Sequence, residues 1–161
     1  MIKKIFYLLL AAFIIIQFFH PAKNISANAS AANDISKVFI VPNNVNTILK
    51  NSCYDCHSSN TQYPWYSKIQ PAAWLLNDHI EEGKREVNFN EFATYSLRRQ
   101  YKKFEEIIKQ VKEEEMPLSS YTFIHRGAEL SKEQKLVLYS WAAAAMDNMK
   151  AKYPADSLKK K

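Results

Sequence analysis

The chain has little glycine and little cysteine, and both shortages restrict what it can be. Two glycines in 161 residues argue against a glycine-rich phosphate loop and against an architecture of strands joined by tight turns. Two cysteines and no second Cys/His pair argue against a zinc knuckle. The formal net charge is +6, but the lysines alternate with glutamates, so no basic patch of the kind that binds nucleic acid is present.

Both cysteines lie in one motif, Cys53-Tyr54-Asp55-Cys56-His57. Two thiols three positions apart, followed directly by an imidazole, form the attachment pattern of a c-type haem. Each thiol would form a thioether with one haem vinyl group, and the histidine would bind the iron. The alternatives are a disulfide, a zinc site or a thioredoxin-type redox pair, and the last of these lacks its βαβ context. The motif therefore predicts one covalent haem c per chain.

The N-terminal residues predict export from the cytoplasm. Lys3 and Lys4 precede an apolar run over residues 5–16, and Ala27-Asn28-Ala29 supplies a small-x-small cleavage site, as in a secretory signal peptide. The run is shorter than the roughly 20 residues that span a bilayer. We therefore expect residues 1–29 to be a signal peptide, with an uncleaved membrane anchor as the alternative. In both cases the domain would be periplasmic, either free or membrane-anchored and facing the periplasm.

The remaining chain is expected to form one all-α domain. Residues 30–44 form a lead-in, in which residues 38–41 are either a short strand or an extended segment. The haem-binding domain is expected over residues 45–150. The lysine-rich residues 151–161 are expected to be a frayed tail.

Four helices are predicted within this domain from apolar periodicity and capping residues. They cover residues 45–52, a stretch from Pro71 to about Gly83, residues 91–114 after an Asn88-Phe89-Asn90 cap, and residues 131–149 after a Ser131–Gln134 capping box. A loop over residues 117–130 separates the last two. We expect the helices at 45–52 and 131–149 to pack against each other and close the domain.

Met116 is the predicted sixth ligand of the iron. It lies in a loop beside Pro117, and electron carriers commonly hold haem iron between a histidine and a methionine. His79 and His125 are the rival ligands. His125 is alternatively a residue that lines the haem pocket or binds a propionate.

Aromatic and basic residues around the motif are further candidates for haem contact. Tyrosine and tryptophan supply both an apolar wall and hydrogen-bond donors, although the same residues also build ordinary cores. Arginine is the natural partner of a haem propionate. The candidates are Tyr63, Trp65, Tyr66, Trp74, Arg85, Tyr121 and Arg126.

These stretches together resemble the bacterial haem-binding domain family of exported single-haem proteins. The resemblance covers about residues 45–145. It implies covalent haem, His57 as the proximal ligand, and a helical fold similar to cytochrome c, in which a loop before the last helix supplies the methionine ligand. It rests on the cysteine motif through Thr61, on Tyr63-Pro-Trp-Tyr-Ser67, Pro71-x-x-Trp74, His79, Gly83, Arg85, Asn88-Phe-Asn-Glu-Phe92, Glu115-Met-Pro-Leu-Ser-Ser-Tyr121, His125, and Leu130-Ser131 leading to Trp141.

The expected function is that of an exported monohaem cytochrome that carries single electrons between redox partner proteins, rather than that of an enzyme. A haem peroxidase, or a peroxidase accessory domain, is the alternative. It would need an open sixth position on the iron and a distal acid/base, for which His125 or His79 would serve. A gas or redox sensor is a third class, but it would usually carry a fused signalling module.

Overall fold

Helices make up nearly all of the regular structure, which confirms the all-α prediction. The computed structural model describes residues 1–26 and 32–159, so the predicted cleavage motif Ala27-Asn28-Ala29 lies outside the described residues. Short 3-10 segments occupy Ile35–Lys37, Trp65–Lys68, Phe89–Thr94 and Arg126–Ala128. The α-helices are α1 (Ile2–Ile16), α2 (Asn43–Ser52), α3 (Tyr54–His57), α4 (Ala72–Glu86), α5 (Leu97–Lys112), α6 (Ser119–Ile124), α7 (Lys132–Lys152) and α8 (Ala155–Leu158).

The core lies between α5 and α7, which pack along each other. Phe104 of α5 is fully buried and meets Trp141 of α7 edge to face, with the ring centroids 5.4 Å apart. Helix α2 contacts α7, so the predicted packing of the helices at 45–52 and 131–149 is confirmed. The predicted capping box is also present, because the Ser131 hydroxyl accepts from the Gln134 amide and the Gln134 side chain accepts from the Ser131 amide.

The predicted helix over residues 91–114 is wrong at its N-terminal end. Residues Phe89–Thr94 form a 3-10 segment, and α5 begins only at Leu97. Asn88 caps the 3-10 segment, whereas Ser96 caps α5 by accepting a hydrogen bond from the Arg99 amide. Two capping residues eight positions apart therefore divide the stretch into two elements.

Helix α4 continues through Glu86, so the predicted end at Gly83 is wrong. The predicted loop over residues 117–130 contains α6 and the 3-10 segment Arg126–Ala128. In the lead-in, residues 38–41 form no strand, and the 3-10 segment Ile35–Lys37 precedes them.

The C-terminal segment is not a frayed tail over its described part. Helix α7 continues to Lys152, and α8 packs against α5. Leu158 is only 3% exposed and joins the hydrophobic core. Burying a leucine contributes about 1.5–3 kcal/mol. Polar contacts add to it, because Arg98 donates to the Asp156 carbonyl and Lys159 pairs with Glu105.

Helix α1 has no buried residue. The segment after it, residues 17–26, lies along residues 58–74 and hydrogen-bonds to them. In the part of the chain that the structure describes, no helix has the length and apolar character needed to cross a membrane.

Candidate haem-binding site

The cysteine motif occupies the junction between α2 and α3. The amide of Cys53 ends α2 by donating to the Leu49 carbonyl, and the amides of Cys56 and His57 donate to the Cys53 carbonyl at 3.2 and 2.9 Å. This single helical turn places the two cysteines on the same side of the chain, as attachment to one flat ring requires. Both thiols are unpaired and half-buried.

The surroundings of the thiols suit neither a redox pair nor zinc. Burial, with a smaller contribution from Cys56, raises the pKa of Cys53 to about 12, and burial beside Asp55 raises the pKa of Cys56 to about 11. Redox-active Cys-x-x-Cys pairs need a lowered pKa. Among the described residues, no group of three or more Cys, His, Asp or Glu side chains is placed to hold a metal ion.

His57 is held by two backbone carbonyl groups at the C-terminal end of α4. Its Nδ1 lies 2.9 Å from the Gly83 oxygen and 3.1 Å from the Val87 oxygen. A carbonyl oxygen only accepts, so Nδ1 carries the proton. Burial lowers the pKa of the imidazole, which keeps it neutral and leaves the Nε2 lone pair free. Histidine ligands of metals are normally oriented in this way, through a hydrogen bond from the other ring nitrogen.

Gly83 allows α4 to approach the cysteine turn closely. A Cβ atom at this position would lie 2.7 Å from the Cys56 carbonyl oxygen and 3.0 Å from the Cys56 Cβ. Real Cβ atoms do not come that close to a backbone oxygen. The contact with Cys56 therefore requires glycine at this position. The same close approach brings the Gly83 carbonyl to His57.

A chain of polar and aromatic contacts surrounds Asp55 within the motif. The Tyr121 hydroxyl donates to the Asp55 carboxylate at 2.6 Å. The Tyr121 ring stacks on His125 with centroids 4.3 Å apart, and His125 Nε2 shares a 2.8 Å hydrogen bond with the Tyr66 hydroxyl. Burial and the nearby Asp55 and Cys56 raise the pKa of Tyr66 and Tyr121. The structure thus brings Tyr66, Tyr121 and His125 to the motif. Their contact with haem stays a prediction.

Met116 lies in the loop between α5 and α6 and is half-buried. Its amide donates to the Gln110 carbonyl. None of the described hydrogen bonds or ring contacts joins its side chain to the cysteine motif, so its role as the sixth ligand stays a prediction. His79, the rival ligand on α4, is half-buried.

The other candidates take different positions. Trp65 is 73% exposed and packs edge-on against Tyr66. Tyr63 and Trp74 hydrogen-bond to the N-terminal segment, to the Asn24 amide and the Phe19 carbonyl respectively.

Neither candidate arginine has a described contact with the motif. The Arg85 side chain is exposed on the last turn of α4, where its carbonyl accepts from Arg99. Arg126 is also exposed and lies over the Phe123 ring. Their assignment to the haem propionates remains a prediction.

Three groups at the site were not predicted from the sequence: the Asp55 carboxylate, the Gly83 position and the Val87 carbonyl. Gly83 was among the residues that carry the family resemblance, but it was interpreted as a helix end, although a glycine inside a helix usually has a packing reason. A backbone carbonyl leaves no mark in a sequence, and Asp55 occupies a variable position of the motif.

The donor set of this site fits a covalently held haem. Cys53 and Cys56 would form the thioethers, and His57 would bind the iron through Nε2, because its Nδ1 is already oriented by α4. Tyr66, Tyr121 and His125 would lie around the attachment point.

Comparison with known proteins agrees with this reading. The family model described as "Haem-binding domain" matches residues 11–144, well over half of the chain. No curated protein and no solved structure matches significantly. The chain belongs to the haem-binding domain family, and it is a haem-binding protein.

Proposed function

We propose that the protein is an exported c-type cytochrome that holds one haem covalently and carries single electrons. The observation that supports this best is the orientation of His57, whose Nδ1 donates to the Gly83 and Val87 carbonyl groups. This leaves Nε2 as the only ring nitrogen able to bind iron. The His57 imidazole lies within one helical turn of the two unpaired thiols.

The haem iron supplies reversible one-electron chemistry when it is bound. The chain's own contribution is to fix the ring and its ligand. Cys53 and Cys56 hold the haem edge, and α4 fixes the plane of His57. Orientation by backbone carbonyls also raises the basicity of a ligating imidazole, which favours the oxidised iron.

Met116 is the proposed sixth ligand. The bond between Tyr121 and Asp55 ties α6 to the motif, and Met116 lies five residues before Tyr121. The loop that carries the methionine is therefore attached beside the cysteine turn. Methionine opposite histidine raises the reduction potential of the iron, which suits a carrier.

A peroxidase, or a peroxidase accessory domain, is the second candidate, and the position of His125 favours it. His125 stacks on Tyr121 and shares a hydrogen bond with Tyr66 beside Cys56. A histidine at such a place has the character of a distal acid/base. This function requires that Met116 leaves the sixth position open.

Spectra and ligand binding of the purified haem protein distinguish the two functions. A carrier gives low-spin spectra in both oxidation states, titrates reversibly with one electron, and binds cyanide slowly. The His125→Ala variant should then keep the same potential within experimental error. A high-spin ferric spectrum, rapid cyanide binding and peroxide turnover that falls in His125→Ala would reject the carrier and support the enzyme.

Export is part of the proposal, as is electron exchange with partner proteins that the haem edge meets. Export is supported by the apolar N-terminal segment that follows Lys3 and Lys4. It is also supported by the cysteine motif, because haem is attached to such motifs outside the cytoplasm. Fusion of residues 1–40 to a reporter that is active only in the periplasm tests it. An active reporter is expected, and an inactive one would contradict export.

A further inference from the structure

Residues 17–26, here called the strap, are hydrogen-bonded to the loop that follows the haem motif. Asn24 is its main contact. The Asn24 side chain donates to the Ser58 carbonyl and to the Thr61 hydroxyl, both at 2.9 Å, and the Thr61 amide donates to the Asn24 carbonyl at 3.0 Å. Ser58 immediately follows His57, so the strap lies one residue from the proposed iron ligand.

The first part of the strap is fixed to the start of α4. The Gln70 side chain donates to the Phe19 carbonyl at 2.6 Å, and the Trp74 indole donates to the same oxygen at 3.0 Å. The Gln70 amide donates in turn to the Gln17 side chain at 2.9 Å. The strap is thus held at both ends, beside the motif and beside α4.

Several buried polar groups of the domain have their partners in the strap. Gln70 is fully buried, Ser58 is 1% exposed and Thr61 is 7% exposed. Buried polar groups without partners are costly, and the described residues include no such unpartnered side-chain atom. The family match also begins at residue 11, upstream of the strap, so these residues fall within the family's own domain.

We propose that the strap is a permanent part of the haem-binding domain, that residues 1–26 therefore remain in the mature protein, and that α1 attaches the domain to a lipid bilayer. Cleavage after Ala29 would remove the strap together with the signal sequence. The polar groups of Ser58, Thr61 and Gln70 would then open to water, next to His57.

Lipid is the occupant that suits the surface of α1. The helix carries no acidic residue, its lysines are confined to the first turn, and every side exposes large apolar residues such as Leu8 (70%) and Ile15 (58%). A protein partner needs one apolar stripe, whereas a helix that is apolar all round has to be surrounded. Partial insertion into the hydrocarbon of one leaflet would surround α1 in this way without requiring a helix that is long enough to cross the bilayer.

The N-terminus of the haem-loaded protein tests retention. The full chain is produced in a bacterium that attaches haem c, its membranes are extracted with detergent, and the haem-containing species is analysed by intact mass and N-terminal sequencing. A membrane-bound species that retains residues 1–26 is expected. A haem-loaded species that begins near residue 30 would overturn the proposal, and it would leave the proposed electron-transfer function intact.

Limited trypsin digestion tests whether the strap is held in place, since Lys23 precedes Asn24. The Trp74→Phe variant loses the indole donor to Phe19. We expect cleavage at Lys23 to become about fivefold faster, the factor that corresponds to ~1 kcal/mol for one lost hydrogen bond. Trp65→Phe is the matched control, because Trp65 is exposed and its described contact is with Tyr66. Equal rates in wild type and both variants would overturn the proposal.

Flotation with vesicles of phosphatidylethanolamine and phosphatidylglycerol tests the attachment to lipid. The wild-type chain should float with the vesicles. A variant in which a cleavable signal peptide replaces residues 1–16, so that it is exported and then lacks α1, should stay in the soluble fraction with its haem spectrum unchanged, because α1 buries no residue in the domain. Failure of the wild-type protein to float, or its association into oligomers in place of flotation, would overturn the assignment of lipid.

Discussion

Replacing Gly83 by alanine should destabilise the protein, although alanine is the better helix former. Gly83 lies inside α4, where alanine is favoured over glycine by about 0.8–1 kcal/mol. The added Cβ, however, would lie 2.7 Å from the Cys56 carbonyl oxygen and 3.1 Å from its carbonyl carbon. These are backbone atoms of the haem motif, so no side-chain rotation relieves the contact.

The steric cost of the added Cβ should exceed the gain in helix propensity. Overpacking of this kind typically costs about 1–3 kcal/mol, and rigid backbone neighbours place the change in the upper half of that range. After the helix-propensity gain, a net loss of about 1–2 kcal/mol in the free energy of unfolding remains. For a chain of this size, each kcal/mol lowers Tm by about 2–4 °C. The shift of α4 should also lengthen the hydrogen bonds from His57 to the Gly83 and Val87 carbonyl groups.

Gly127→Ala is the matched control, because no atom lies within 4 Å of a Cβ at Gly127 and neither glycine has a positive φ. We expect this variant to be unchanged or more stable by about 0.4–1 kcal/mol. Denaturant unfolding and the haem-to-protein absorbance ratio are measured for both variants. If Gly83→Ala is as stable and as fully loaded with haem as Gly127→Ala, the close approach of α4 to Cys56 is not needed.

Three further substitutions test other parts of the account. Tyr121→Phe removes the donor to Asp55 and should lower the free energy of unfolding by about 1 kcal/mol, since the pair is half-exposed; an unchanged denaturation midpoint would show that this bond does not hold α6. Met116→Ala should remove the weak far-red band of a methionine–iron bond from the ferric spectrum and speed cyanide binding; a surviving band would reject Met116 as the ligand. Leu158→Ala should cost about 2–5 kcal/mol in thermal unfolding, whereas a truly frayed tail would show no change.

Much of the fold could be predicted from periodicity and capping. The helix that became α7 was marked by its Ser131 capping box, and the residues of α2 and α4 by apolar spacing. The errors have two causes, which are a local capping residue and a contact between segments distant in sequence. Ser96 divides a continuous amphipathic pattern, and Leu158 draws a lysine-rich segment into the core.

The candidate site also has a part that could be predicted from the sequence and a part that could not. Cys53, Cys56 and His57 follow from a covalent pattern, which depends only on spacing along the chain. The contacts that orient them come from residues 26–66 positions distant in sequence, as the carbonyl of Gly83 and the hydroxyl of Tyr121 show. The strap was unpredictable because a signal-like composition says nothing of the polar contacts that follow it.

Covalent attachment of haem at the cysteine motif is the central claim, and the mass of the denatured protein tests it most directly. The protein is purified from a strain that attaches haem c, unfolded in acid and organic solvent, and measured as an intact chain beside the double variant Cys53→Ser/Cys56→Ser. The wild-type chain should keep the added mass of one haem, and the variant should keep none. Haem that separates from the wild-type chain on denaturation, or that stays bound to the variant, would contradict it.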